Sequence, residues 1–387
     1  MFSGCTKLET APALSAKILA PSCYESMFSG CTALTSVPVL PATTLAPSCY
    51  KSMFSGCTAL VTAPTISATT LAESCYRSMF EGCTLLTEAP ELSVMEMKSN
   101  CYYGMFMGCT LLTEAPVLPA KTLELYCYAN MFKGCTSLTK TPELPAETLA
   151  ESCYEGMFYG CISLTEVSPL PATKLAPSCY KSMFEGCSGL INISTIILNI
   201  KNVSSYSMSN MFKDCTNIVN ILKLDLGAAS IGCCQRMFEG CSKLTNEKHV
   251  DENGIVSYNI RFSSIVATSC YEGMFSGCES LIEAPALPAT TLAKSCYSGM
   301  FYGCTSLETA PTISAEILAT SCCINMFSDC TSLKTAQVLL PAEKLAESCY
   351  ENMFKGCIAL TSAPELPAKT LVKNCYRNMF YGCTLLN

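Results

Sequence analysis

The amino-acid sequence predicts an α/β solenoid, a right-handed stack of short repeats with parallel strands on one face and short helices on the other. Three observations lead to this fold class. The pair Met-Phe occurs fifteen times, and eleven of the fourteen intervals between copies are 26 residues long. Half of the 387 residues are hydrophobic and only 14% are charged, so the chain must bury a core. A unit of this size cannot close a core alone and has to be stabilised by stacking on its neighbours.

The first element of each unit is a predicted short helix that contains the Met-Phe pair. In a representative unit Cys49, Met53 and Cys57 recur every four residues, and Phe54 lies beside them. This spacing is typical of an amphipathic helix. A serine before the segment is a suitable N-cap and a glycine near its end is a suitable stop, which limits the helix to about two turns. We expect these four side chains and Leu60 to form the structural core.

A short strand follows the helix and ends at a recurring proline. In the same unit the stretch Leu60 to Ala63 is followed by Pro64, and proline recurs at this place in most copies. Proline donates no ladder hydrogen bond, so the strand should stop there and leave about three to five residues for parallel pairing with the next copy. The remainder of the unit, such as Leu40 to Ala46, returns the chain to the next helix.

Residues 1–387 are predicted to form a single solenoid of about fifteen units, with one stretch of weaker repeats. Residues 188–232 are rich in isoleucine and asparagine and lack the Ala-Pro and Leu-Pro pairs of the other copies. The favoured interpretation is a degenerate pair of repeats with a better strand, and the alternative is a binding platform.

A second break is a 37-residue interval between two Met-Phe pairs, which predicts an inserted hairpin loop at residues 245–260. An Asn-Gly pair between β-prone runs is typical of a hairpin tip. His249, Asp251 and Glu252 lie on this candidate insertion loop. One imidazole and two carboxylates on a loop make a poor metal site, so a solvated hairpin is favoured and no metal or other cofactor is expected.

Thirty cysteines, two in most units, allow three interpretations. No Cys-x-x-Cys pair occurs and histidine is nearly absent, which disfavours zinc. Cys49 and Cys57 would lie about 12 Å apart along one helix, too far for a disulfide, while a bridge between copies, such as Cys57 to Cys75, is geometrically possible. The favoured interpretation is a ladder of reduced thiols, each filling a small apolar slot. Ser207 at one cysteine position, and cysteine at two tyrosine positions, agree with such a filler.

A polar position recurs once per unit on the predicted strand. In the central units it holds Glu88, Glu114, Lys140 and Glu166, and in a later unit Glu283, which together form a candidate binding face with an acidic centre. Glutamates on neighbouring units repel each other, which costs stability and mildly favours a bound cation or partner. The two interpretations are a solvated face and a groove for a cationic or glycan partner.

Composition disfavours several functional classes. The 24 lysines and arginines are outnumbered by 31 aspartates and glutamates, so no basic field is present and nucleic acid is not expected as a partner. A single histidine, and the lack of a nucleophile-and-base pair or a phosphate-binding glycine loop, predict a non-enzyme. The sequence contains no run of about 18 apolar residues, so membrane insertion is not expected. The N-terminus lacks a secretory signal pattern.

The repeat itself is similar to a known family. The string Tyr-x-x-Met-Phe-x-Gly-Cys-Thr-x-Leu-Thr, continued by proline and Leu-Pro as in Tyr24 to Pro41, resembles the BspA-like leucine-rich repeats of bacterial surface proteins. The resemblance implies a solenoid used in adhesion or in binding host and matrix molecules, located at the cell surface or outside the cell. Two features depart from the family pattern: prolines such as Pro38 occupy a strand position that is usually β-branched, and cysteine occurs twice per unit.

Two functions therefore remain open. The first is a non-enzymatic binding module, bacterial or phage-associated, that presents an extended surface to a protein or glycan ligand. The second is a structural protein whose copies stack head to tail into filaments, because neither end of the chain shows an evident polar cap. The polymer size across a concentration series distinguishes the two.

Overall fold

The computed structural model of the chain describes residues 1–193, 200, 202–220, 224–225, 227–245, 248–250, 256–258, 260–336 and 340–387. Within these residues the chain forms two compact units. Unit 1 comprises Met1–Ala172 and Ser178–Leu190, and unit 2 comprises Thr173–Pro177 and Ile191–Asn387. Each unit is a stack of repeats, and one repeat is called a rung below. The single solenoid of fifteen rungs stays a prediction.

The Met-Phe segment of each rung is a series of tight turns. In the representative rung Ser48, Ser52 and Gly56 have φ angles of 55°, 52° and 74°, so every fourth residue is left-handed. The amide of Met53 donates to the carbonyl of Tyr50 three residues earlier, at 3.2 Å, and the same bond repeats at every second residue from 49 to 57. We call this segment the turn ladder.

The remaining amides of the turn ladder bond to the next rung. Tyr50 donates to the carbonyl of Cys75 at 3.0 Å and Phe54 to that of Met79 at 2.9 Å. Amides therefore alternate between a bond within the rung and a bond to the following rung. The same alternation occurs in unit 2, where Phe301 donates to the carbonyl of Met326 at 2.9 Å.

The helices predicted for this face are not confirmed, and no α-helix occurs among the described residues. A left-handed residue at every fourth position is incompatible with an α-helix. The turn ladder also solves a spacing problem, because packed helices need about 8–10 Å between their axes. Stacked phenylalanine rings on consecutive rungs lie only 5.5–5.8 Å apart, as Phe2 and Phe28 do at 5.5 Å and Phe54 and Phe80 at 5.8 Å.

Parallel pairing on the opposite side is reduced to isolated bridges at three positions of the rung. The first bridge column contains the predicted strand position, as in Thr62–Glu88 of unit 1 and Glu283–Thr309 of unit 2. The second column includes Leu40–Ile66, and the third includes Thr44–Thr70. The proline after the first position explains the short pairing, because it cannot donate a ladder bond.

Four short strands are described, all in unit 2. Strand β1 (Leu224–Asp225) pairs in parallel with β4 (Ile260–Arg261). Strand β2 (Lys248–Val250) pairs antiparallel with β3 (Val256–Tyr258), inside the region predicted as an inserted hairpin. Neither β1 nor β4 contains or is followed directly by proline, which is compatible with pairing over two residues.

The core consists of identical residues stacked rung on rung. Cys49, Met53, Phe54, Cys57 and Leu60 are completely buried, and so are their equivalents in the following rung. Phenylalanine rings stack nearly parallel in both units, and tyrosine rings form a second column at spacings of 5.7–6.2 Å. Repeating one residue at one slot therefore produces continuous apolar columns.

All thirty cysteines are thiols that form no disulfide, and all but three are buried. In most rungs the second cysteine also has a hydrogen-bonding role, which the cysteine spacing did not predict. The thiol of Cys57 donates to the carbonyl of Phe28 at 3.1 Å, and that carbonyl also accepts the amide of Cys31. The same thiol-to-carbonyl bond occurs in unit 2, from Cys304 to Phe275 at 3.1 Å. A thiol therefore fills the slot and satisfies the second lone pair of a buried carbonyl.

Candidate binding face

The five sequence-predicted polar residues lie in the first bridge column of their units. Glu88, Glu114, Lys140 and Glu166 are exposed on consecutive rungs of unit 1. Glu283 occupies the equivalent position in unit 2, where it is partly exposed and bridges to Thr309. We call the exposed surface that carries the first bridge column the bridge face.

The bridge face of unit 1 is not uniformly acidic. Lys140 and Glu166 are bridged, and their Nζ and Oε2 atoms lie 3.7 Å apart with 68% and 70% of the side chains exposed. Such an exposed pair contributes little stability, but it cancels one of the three negative charges. The acidic character is therefore concentrated on Glu88 and Glu114.

Charges on adjacent rungs of unit 1 are complementary at other positions. Lys51 contacts Glu25 on the preceding rung at 2.8 Å, and Lys181 contacts Glu155 at 3.0 Å. Glu88 and Glu114 make no ion pair with any described residue. The two glutamates are therefore a like-charged pair without a compensating cation among the described residues.

The rungs that carry these two glutamates are separated along the bridge face. Segments 87–98 and 113–124, which we call the open rung pair, share no backbone hydrogen bond, although all their residues are described. Every other neighbouring rung pair lying wholly within residues 1–172 has at least one such bond on this side. The two rungs remain joined through their turn ladders, where Phe80 donates to the carbonyl of Met105 at 2.8 Å.

Three adjoining cavities run along the open rung pair. The first, of about 430 Å³, is lined by Glu88 and Glu114, and the second, of about 530 Å³, by the apolar side chains of Met95 and Val117. The third, of about 450 Å³, is lined by two lysines and two glutamates: Glu96, Lys98, Lys121 and Glu124. Neighbouring cavities share lining residues, so they form one continuous cleft that we call the rung cleft.

Sequence differences explain why this pair of rungs opens. Ser93 to Met97 replaces the Pro-Ala-Thr-Thr-Leu sequence found at residues 41–45 and 288–292. Val94 is buried at a slot that Ala42 fills in a bridged rung, so it brings two extra methyl groups into a packed position. Repulsion between the two glutamates adds to this effect at the other end of the segment.

A rung pair in unit 2 provides the matched closed case. Segments 283–292 and 309–317, the closed rung pair, are bridged at all three positions, from Glu283–Thr309 to Thr291–Ile317. A shallow cavity of about 400 Å³ lies over them, lined mainly by alanine, proline, serine and threonine residues. The closed pair therefore offers neither a second acidic residue opposite Glu283 nor an exposed methionine.

The candidate insertion loop adds no site that the structure describes. His249 lies on β2, where its backbone pairs with Ser257, and Asp251 and Glu252 lie outside the described residues. Among the described part of the chain, no group of three or more histidine, cysteine, aspartate or glutamate side chains is placed to hold a metal ion. None of the described residues forms a helix long and apolar enough to cross a membrane.

Stacked short repeats with parallel bridges on one side place this protein in the leucine-rich-repeat class. A family model described as the BspA type leucine rich repeat region matches six copies, over residues 1–113, 127–260 and 254–387. The chain belongs to this BspA-type family, which confirms the resemblance seen in its repeat.

One of two similar solved structures agrees with the fold. A leucine-rich repeat protein from Bacteroides ovatus has a TM-score of 0.53 and 19% identity, covering 93% of this chain and 79% of its own. A leucine rich cell surface protein from Faecalibacterium prausnitzii has a TM-score of 0.40 and 18% identity, covering 78% of each chain. At these identities the first likeness shows the fold alone. No curated protein matches the chain.

Proposed function

We propose that this protein is a non-enzymatic binding module of a bacterial or phage-associated surface protein, and that the bridge face contacts a protein ligand. The observation that carries the proposal is the rung cleft, which exposes apolar side chains and unpaired main-chain groups within an otherwise regular stack. Exposed apolar patches bordered by polar residues are typical of interaction sites. Family membership supports the surface location and the absence of catalysis, since repeats of this type are characteristic of surface proteins.

Binding to purified extracellular-matrix proteins and mucin, intact and enzymatically deglycosylated, tests the proposal. The immobilised proteins are probed with the full chain by biosensor. We expect binding that survives deglycosylation and weakens when bulky residues are introduced on the bridge face, as in Val61→Arg. The matched control is Ile162→Arg, also at an exposed aliphatic residue but next to the turn ladder. Binding that disappears with the glycans would assign the face to sugars.

Head-to-tail assembly stays a prediction that the same material can test. Light scattering over a concentration series reports the size of the particle. A constant size favours the binding module, whereas polymers that lengthen with concentration favour the structural function. In such a polymer the bridge face would lie along the side of the filament and would need no ligand.

A further inference from the structure

The rung cleft lacks both of the main-chain bonds that can join rungs at the two ends of this face, whereas every other rung pair within residues 1–172 keeps one of them. The amide of Thr87 donates to the carbonyl of Val61 at 3.1 Å, but the equivalent bond from Thr113 to Thr87 is absent. Likewise the amide of Leu123 donates to Thr148 at 3.0 Å, and the equivalent bond from Met97 is absent. Both ends of the cleft therefore offer donors or acceptors to an inserted main chain.

The charges of the cleft select one kind of end group. Glu88 and Glu114 line the same cavity without a cation among the described residues, next to the unused carbonyl of Thr87. A guanidinium group presents several donors in a planar fork and matches two carboxylates and a carbonyl better than an ammonium does. A positive group there would also remove the repulsion between the two glutamates.

The apolar part of the cleft selects the neighbouring residues of the ligand. Met95 is 70% exposed and Val117 is 75% exposed, and both line the central cavity together with prolines of the two rungs. Aliphatic ligand side chains would bury this surface. The cleft also follows the rungs for several residues beyond the glutamates, which suits an extended peptide better than a compact ligand.

We propose that the rung cleft binds an extended peptide segment of the partner protein, with an arginine between Glu88 and Glu114 and aliphatic side chains on Met95 and Val117. This inference rests on the proposed function, because it names the site and the class of ligand for the same face. The bound segment lies along the open rung pair and uses the free main-chain groups of Thr87, Met97 and Thr113.

A peptide array tests the proposal with the full-length chain as probe. An array of random octapeptides should retain peptides in which arginine is followed within a few positions by an aliphatic residue. Glu88→Gln with Glu114→Gln should weaken binding of these peptides about tenfold or more, because charged hydrogen bonds are lost. Glu279→Gln, at an exposed glutamate next to the turn ladder that precedes the closed rung pair, is the matched control and should leave binding unchanged. Raising the salt concentration should weaken the binding of the same peptides, because salt screens the attraction between arginine and the glutamates.

A second variant tests the shape of the cleft while keeping Glu88 and Glu114. Replacing residues 93–97 by the Pro-Ala-Thr-Thr-Leu sequence of residues 41–45 should close the cleft, abolish peptide binding and leave thermal stability equal or higher. Val117→Ser changes an exposed residue that folding does not need. It should weaken the binding of peptides with aliphatic residues, and it replaces the five-residue variant as the test if that variant fails to fold.

Three results would overturn the inference. These are an array without enrichment of arginine, equal effects of the substitutions at Glu279 and at the Glu88–Glu114 pair, and retention of calcium by the two glutamates in place of any peptide. If matrix-protein binding on the bridge face persists in any of these cases, the inference fails while the proposed function stands. If array peptides bind through the cleft but no matrix protein does, the proposed class of natural ligand fails instead.

Discussion

The open and the closed rung pairs follow the same repeat and differ in pairing. In the closed pair Glu283 faces Thr309, and the Pro-Ala-Thr-Thr-Leu segment brings the return strand close enough for three bridges. In the open pair Glu88 neighbours Glu114, and a larger buried residue replaces alanine. The turn ladders and the aromatic columns continue through both pairs. The comparison shows that rungs are held together mainly by their cores, so the bridge face can open locally without breaking the stack.

The largest expected effect tests whether the core holds the rungs together equally well in the open and the closed rung pairs. Phe106→Ala, beside the open pair, and Phe301→Ala, beside the closed pair, should each lower the free energy of unfolding by about 3–5 kcal/mol. Both rings are fully buried and stack at 5.6 Å on the following ring, so the two losses should be equal. Urea denaturation measures them. A much smaller loss for Phe106 would mean that the opening extends into the core.

The buried thiols predict that the free energy of unfolding depends strongly on pH, in the same way for both regions. Burial raises the pKa of the Cys57 and Cys109 thiols from 9.0 to about 12. Between these values the folded chain keeps protons that the unfolded chain has lost, so this stabilisation is complete below about pH 9 and declines as the pH rises towards 12. Denaturation midpoints should be constant between about pH 7 and 8 and fall at about pH 10.

Alkylation of the native protein provides an independent check on the thiols. Exposed Cys5 and Cys23 should react at once, and Cys383 next, whereas the buried thiols should react only after unfolding. Cys109 beside the open rung pair should be as protected as Cys304 beside the closed one. Rapid labelling of Cys109 alone would show that the rung cleft reaches the thiol column.

A like charge should begin to open the closed rung pair. Thr309→Glu places a second carboxylate opposite Glu283 and should destabilise the protein by about 0.2–1 kcal/mol, with Thr309→Gln as the uncharged control. Hydrogen exchange should become faster at the amide of Leu292, which donates to Ile317 at 2.8 Å. If the exchange rate of this amide is unchanged, charge repulsion does not open a rung pair. The packing of Val94 is then the main cause of opening in the open rung pair.

The smallest effect concerns the exposed ion pair on the bridge face. Glu166→Gln removes the partner of Lys140, and both side chains are about two-thirds exposed or more. We expect the free energy of unfolding to change by less than about 0.5 kcal/mol. A larger loss would indicate that the charge pattern of this face contributes to folding and not only to recognition.

The repeat and its buried positions are predictable from the sequence, but the helix predicted for the turn ladder is not confirmed. Buried Cys49, Met53 and Cys57 recur every four residues, which is the spacing of both an amphipathic helix and a chain of turns with a left-handed residue at every fourth position. The signal that separates the two is at Ser48, Ser52 and Gly56, where serine, asparagine or glycine recurs in most rungs. These small and polar residues tolerate positive φ better than most side chains.

The candidate site was predicted in part. Placing Glu88 and Glu114 on neighbouring rungs required only the 26-residue spacing, and their repulsion followed from charge alone. The rung cleft did not follow, because it depends on how a valine fits a slot that alanine fills in other rungs and on which main-chain bonds are lost as a result.

The amino-acid sequence by itself determined the stacking, because identical residues at a fixed interval can bury their apolar surface only against one another. It also determined the net charge and the positions of the polar column. The tertiary structure alone decided that turns replace helices, that thiols donate to buried carbonyls, and that one rung pair opens. The turns and the open rung pair depend on backbone hydrogen bonds between rungs, whose donors and acceptors are the same for every residue type except proline. The thiol bonds depend on which buried carbonyl lies beside each sulfur. Neither property can be read from a sequence pattern.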